Sequence, residues 1–149
     1  MRFLTKTARA AALGLAAVGC GGGDEIPREP ISGHVALDGR PLEVGLITFS
    51  PAGGGEPVIS GVVIDGAYAL DRVDGPSPGP HKVQVFARKA TGKKVRDPDQ
   101  PGAFVDEVRE AIPARYNLRT DLVAEVAPGG TNRFEYNLSG KPEPREVRR

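Results

Sequence analysis

From residue 31 onward, apolar and polar side chains alternate in short runs separated by turn residues. In ISGHVAL (31–37), Ile31, Gly33, Val35 and Leu37 fall on one face, and Ser32, His34 and Ala36 on the other. A period of two marks a strand buried on one side. LITFS (46–50) repeats the signal with Ile47 and Phe49 inward, and AYAL (67–70) places Tyr68 and Leu70 together. VISGVVI (58–64) is a β-branched run whose inward face the pattern does not assign. HKVQVFA (81–87) sets His81, Val83, Val85 and Ala87 against Lys82, Gln84 and Phe86. DLVAEV (121–126) and RFEYNL (133–138) read as a final pair around Pro128, Gly129 and Gly130. In the second of these, Phe134, Tyr136 and Leu138 oppose Arg133, Glu135 and Asn137. Asp38-Gly39 and Asp65-Gly66 are turn signals, and PAGGGEP (51–57) and GPSPGP (75–80) are loops. About seven short strands joined this way predict an all-β fold, an antiparallel seven-stranded β-sandwich of prealbumin-like or Ig-like type over residues 31–138.

One segment breaks the rhythm. Residues 89–113 (KATGKKVRDPDQPGAFVDEVREAIP) are too long for an ordinary hairpin loop, and loops of this length are usually functional or disordered. Within it, FVDEVREAI is compatible with one or two helical turns, since Phe104, Val108 and Ile112 recur at a spacing of four. The charges are segregated: Lys89, Lys93, Lys94 and Arg96 come first, then Asp106, Glu107 and Glu110. Two readings stand. One is a solvated loop stitched by weak surface ion pairs. The other is a binding loop on a rigid scaffold, in which Lys93, Lys94, Arg96 and Phe104 would make the contacts.

Composition agrees with strands and turns: 20 glycines, 14 prolines and no tryptophan in 149 residues. The formal charge of +1 carries no nucleic-acid footprint. The basic residues Arg2, Lys6 and Arg9 precede Cys20 with no acid among them, so the rest of the chain is slightly acidic. A short apolar run comes next, Ala10 to Val18, and then Gly19 and Cys20. Basic end, apolar centre and small residues at a cut form a secretory signal over residues 1–19. The run is shorter than the roughly 20 residues a transmembrane helix needs. Cys20 is the sole cysteine, so neither an internal disulfide nor a cysteine zinc site is available to it. GGGDEIPREP (21–30) reads as a flexible linker and residues 139–149 as a disordered tail.

Ala17-Val18-Gly19-Cys20 resembles a bacterial lipobox, with Ala17 where leucine is preferred. The resemblance implies that the Cys20 thiol receives a diacylglycerol and the new amino group an acyl chain, which anchors the protein to a membrane on the extracytoplasmic side of the cell envelope. The alternative is a plain signal peptide that releases a soluble protein with a free thiol. Downstream, ISGHVALDGRPLEVGLITFSP, GVVIDGAYAL, GPSPGPHKVQV, IPARYNLRTDLVAEV and TNRFEYNL resemble, in order and spacing, small planctomycete-type lipoproteins that carry a carboxypeptidase regulatory-like or transthyretin-like β-sandwich domain. His81 stands where an aromatic is common in that pattern. The resemblance implies export, an anchor and a sandwich, and no particular reaction.

Tests for chemistry leave a non-catalytic module as the expectation. The transthyretin-like group includes 5-hydroxyisourate hydrolases, which use histidines, an arginine and a C-terminal Tyr-Arg-Gly-Ser; this chain ends PREVRR. That hydrolase is the alternative function, and a purely structural envelope component is another. His34 reads as an exposed strand residue and His81 as a sheet-end residue. Two distant histidines have no zinc spacing, and Asp97, Asp99 and Asp106 lack the spacing of a calcium loop. Ser50, Ser60 and Ser77 have no nucleophile-elbow context. Tyr116 reads as packing at the sheet edge, and Asn117 as shaping a turn. No cofactor or metal is expected. The expected partners are the membrane, through Cys20, and an envelope protein or glycan.

Overall fold

The computed structural model of the chain describes residues 26–141. Residues 1–25, which include the expected signal and Cys20, and residues 142–149 lie outside them. The described chain is all-β: β1 (Ile31–Leu37), β2 (Arg40–Pro41), β3 (Val44–Pro51), β4 (Ile59–Ile64), β5 (Ala67–Leu70), β6 (Gly79–Phe86), β7 (Arg88–Arg96), β8 (Phe104–Glu110), β9 (Val123–Val126) and β10 (Asn132–Leu138). One 3-10 turn, Ala114–Tyr116, precedes β9.

One sheet runs in the order β10-β1-β5-β4-β3-β6-β9, with the short β2 paired beside β1. It curls into a half-barrel, so its two ends approach: the Tyr136 hydroxyl of β10 donates to the Val123 carbonyl at the start of β9 at 3.3 Å. The concave face is the core. Ile31, Val35, Ile47, Phe49, Val63, Val83, Val85 and Val126 are buried there, as the alternation requires. Each such side chain contributes about 1.5–3 kcal/mol by leaving water. Phe49 and Tyr68 meet with ring centroids 6.1 Å apart. Gly33 lets β10 close on β1, because a Cβ there would lie 1.7 Å from the Phe134 carbonyl oxygen. That oxygen accepts the Tyr68 hydroxyl at 3.0 Å.

The Asp-Gly turns have a clear mechanism. Asp38 and Gly39, then Asp65 and Gly66, all take positive φ. Two left-handed residues in succession give the tight turn whose twist matches adjoining antiparallel strands. The two turns join β1 to β2 and β4 to β5.

Several expectations are corrected. Residues 89–113 are mostly not a loop: β7 and β8 form a second, two-stranded sheet of their own. FVDEVRE (104–110) is a strand and not a helical turn. The spacing of four that suggested a helix is also an even number, so Phe104 and Val108 equally share one face of a strand. β-branched Val105 opposite Val95 then favours the extended form. β9 and β10 do not pair with each other; they sit at opposite ends of the sheet path. β10 lies parallel to β1, so the main sheet is not wholly antiparallel. His81 is buried in the core, 1% exposed, between Pro51 and Ala124 of the flanking strands. In β4 it is Gly61 and Val63 that face inward.

The linker and tail are docked where they are described. The Glu29 amide donates to the Pro76 carbonyl and its carboxylate pairs with Arg72 at 3.2 Å. The Gly140 amide donates to Asp38, and the Ser139 carbonyl accepts from Arg115. Residues 28–30 therefore enter beside the 71–76 loop. Four antiparallel pairings separate β1 from β6, so the two strands run in the same direction. The chain thus enters β1 at one end of the body and leaves β6, into the hairpin, at the other.

Candidate functional site

The β7–β8 hairpin grows directly from β6 with a single residue, Ala87, between them. Its base is stapled by one carboxylate. Glu110 Oε1 accepts the Ala87 amide at 2.8 Å and the Ile112 amide at 3.0 Å. The Ala111 amide donates to the Ala87 carbonyl at 2.7 Å beside it. Ile112 is buried in the core, and the Asn117 side chain ties the backbone beyond it. Asn117 Nδ2 donates to the Ile112 carbonyl, and Oδ1 accepts the Leu118 amide. Gln84 donates to the Asn117 carbonyl. Tyr116 is half-buried, with the Arg115 guanidinium 4.7 Å from its ring centre, and its hydroxyl accepts the Ser139 amide. Asn117 thus shapes the return turn, as the sequence suggests, and it also locks β6 to the segment that leaves the hairpin.

Along the hairpin, Arg88 faces Glu110, Lys94 faces Asp106, Val95 faces Val105 and Arg96 faces Phe104. Between Ala90 and Lys94 the register slips: Thr91, Gly92 and Lys93 stand opposite Glu107 alone. Gly92 permits the bulge with φ of +80°. The Thr91 hydroxyl donates to Glu107 at 2.6 Å, and Arg109 pairs with the same carboxylate at 2.9 Å. Those two contacts, Thr91 first, hold the Glu107 carboxyl below its ordinary pKa. Lys94 and Asp106 pair at 3.0 Å. At the tip the Asp97 amide donates to the Ala103 carbonyl.

All of β7 is exposed, and so is β8 apart from the half-buried Glu107. The hairpin carries exposed apolar side chains, Phe104 at 60%, Val108 at 50%, Val95 at 40% and Val105 at 39%. Arg88, Lys89, Lys93 and Arg96 have no ion-pair partner among the described residues. The four residues singled out from sequence are therefore brought onto one element. Lys93 and Arg96 are free cations, Lys94 is paired, and Phe104 stands open opposite Arg96. Sequence reasoning missed Val95, Val105 and Val108 as exposed contacts and Glu110 as the staple. The even spacing of Phe104 and Val108 allows a strand as well as a helical turn, but with no buried face the pattern does not mark which residues are exposed.

A cleft of about 650 Å³ lies at the hairpin base, where Arg40, Leu42 and Val44 face Arg88, Lys89 and Ala90. On the convex face of the main sheet, Val44 pairs with Ile64 and Leu46 with Val62, all four exposed. His34 is exposed beside Arg133 and Glu135. His81 points into the core, its Nδ1 at 3.0 Å from the Gly79 carbonyl and its Nε2 without a partner. The fold therefore keeps the two histidines on opposite faces of the sheet. Asp106 is in β8, while Asp97 and Asp99 are at the tip, where the Asp99 amide donates to Asp97 Oδ1. No group of three or more His, Cys, Asp or Glu side chains able to hold a metal is found among the described residues. No family model, no curated protein and no solved structure matches the chain.

Proposed function

We propose that this chain is a non-catalytic binding module of the cell envelope, with the β7–β8 hairpin as its recognition element and a lipid on Cys20 as its anchor. One observation carries the reading. Among the described residues the hairpin pairs only with itself, exposes cations and large apolar side chains along its length, and is fixed at its base by Glu110 and Asn117. An isolated two-stranded hairpin is marginal in water, and exposed apolar groups on a rigid stem favour a partner.

The rest of the molecule suits a pedestal. The strands β10-β1-β5 and β4-β3-β6-β9 form the two layers of a sandwich of the carboxypeptidase regulatory-like or transthyretin-like type. The anchor enters at the Ile31 end, and the hairpin leaves from the Phe86 end, away from the membrane. Two or more acyl chains on Cys20 give the stable attachment that one chain does not.

The test is affinity purification after in-cell crosslinking, with the full-length protein beside a form in which residues 88–110 are replaced by a tight turn. A partner recovered only with the hairpin present supports the module. The same recovery from both forms, or none from either, overturns it and favours a purely structural envelope component. Acyl labelling tests the anchor separately: Cys20→Ser abolishes it, and label retained on Cys20→Ser overturns lipidation at this residue.

A further inference from the structure

The hairpin is a two-stranded sheet, so the outer edge of β7 has no neighbouring strand among the described residues. The phase of its ladder says which groups that edge presents. The Asp97 amide bonds to the Ala103 carbonyl at one end, and the Ala111 amide to the Ala87 carbonyl at the other. In an antiparallel pair, hydrogen-bonded and non-hydrogen-bonded residues alternate. Given the register, Arg88, Ala90, Lys94 and Arg96 are the non-hydrogen-bonded positions, and their N–H and C=O groups point away from β8. The bulge divides them into two sets, Arg88 with Ala90 and Lys94 with Arg96. The edge is strongly basic: of the residues on β7, Arg88, Lys89, Lys93 and Arg96 carry charges with no ion-pair partner among the described residues.

We propose that the outer edge of β7 is a strand-addition site for an extended, acidic polypeptide. This rests on the reading of the hairpin as the recognition element and names what it recognises. The edge offers alternating donors and acceptors at the repeat of a strand, which a peptide backbone satisfies. A polyanion without amides satisfies the cations and leaves those backbone groups unmatched. Side chains directly across an antiparallel pair lie about 4.5–5.5 Å apart, so acids at alternate ligand positions sit opposite Arg96, Lys94 and Arg88. The intervening ligand positions fall on the other face, where the one beside Val95 takes an apolar side chain and the one beside Lys89 meets a further cation. Along Lys94, Val95 and Arg96 the ligand is therefore an acid–apolar–acid alternation. The outward-facing positions of the opposite edge, on β8, are Phe104, Asp106, Val108 and Glu110, which offer no cation to the acids of the same strand. That difference fixes which edge is used.

The experiment measures binding of full-length protein to a fluorescent peptide of alternating glutamate and valine, about eight residues long, a usual strand length. The expected result is saturable binding that weakens as salt is raised. N-methylation of alternate peptide amides lowers affinity about tenfold or more, through the lost backbone bonds. Ala90→Pro removes one outward N–H while leaving the ladder to β8 intact, and Arg96→Glu reverses one edge charge; each weakens binding to a similar degree. Retained near-native circular dichroism shows that neither change acts by unfolding. Equal binding of the methylated and unmethylated peptides, or inorganic polyphosphate binding that Ala90→Pro leaves unchanged, overturns strand addition. Hairpin-dependent partners in cells that remain bound to Ala90→Pro and Arg96→Glu also overturn it, while the recognition hairpin itself stands. Absence of any hairpin-dependent partner removes both.

Discussion

Removal of the Glu110 carboxylate tests whether the hairpin is held or hinged. Glu110 Oε1 accepts from Ala87 and Ile112, the residues that flank the hairpin on either side. Both are buried, at 6% and 3% exposure, so each amide left without its acceptor is poorly placed to recruit water. A hydrogen bond to a charged group is worth about 1.5–3 kcal/mol, and an unsatisfied buried donor costs about 1–3. Glu110 itself is solvent-exposed, which lowers both values. Glu110→Ala is therefore expected to destabilise by about 2–4 kcal/mol in total. Glu110→Gln keeps an acceptor oxygen without the charge and is expected to cost about 1 kcal/mol. Urea denaturation gives the totals, and amide hydrogen exchange locates them. Exchange should quicken at Ala87 and Ile112 before it does at Val83 or Val85. A Glu110→Ala protein within about 0.5 kcal/mol of wild type, with protection at both amides unchanged, refutes the staple.

Three further outcomes concern the core. His81→Phe removes the unpartnered Nε2 from the buried face and is expected to stabilise by about 1 kcal/mol despite loss of the Nδ1 contact with Gly79, read from the urea midpoint; a loss of that size contradicts the orphan. Gly33→Ala drives a Cβ into the Phe134 carbonyl, which is backbone and cannot turn aside, so a cost of about 3 kcal/mol is expected by thermal unfolding, and a variant as stable as wild type refutes the close approach of β10 to β1. Burial pushes the Tyr68 and Tyr136 phenols above their ordinary range. Below about pH 10 both states keep these protons; above it the unfolded chain releases them first, so stability falls as pH rises. Tyr68→Phe/Tyr136→Phe should flatten that alkaline loss in denaturation curves, and ordinary phenol titration of the folded protein by ultraviolet absorbance contradicts it.

The body of the fold was legible because alternation and turn chemistry are local. Val35, Ile47, Phe49 and Val85 needed only a period of two, and the Asp-Gly pairs needed only their tolerance of positive φ. Partner choice was not legible, since nothing in VAEV or RFEYNL says that β9 joins β6 while β10 joins β1 in parallel. His81 misled by its polarity: its face-mates Val83 and Val85 pointed inward, and the fold buried it with them. The hairpin was hidden for two reasons. Its exposed strands have no buried face to print an alternation, and the extra residues at Thr91–Lys93 break the register that would have shown the pairing. The charge segregation of Lys94, Arg96, Asp106 and Glu110 was visible, but as composition and not as geometry. Glu110 acts through backbone amides, and no spacing rule announces that.

The most direct test of the recognition hairpin is site-specific photo-crosslinking in living cells, with the photoreactive residue placed at Phe104 on the hairpin or at Val62 on the convex sheet face. Both positions are about equally exposed, at 60% and 59%. The account predicts a discrete protein adduct from Phe104 and none from Val62. Adducts from Val62 alone, or no adduct from either position, would contradict it.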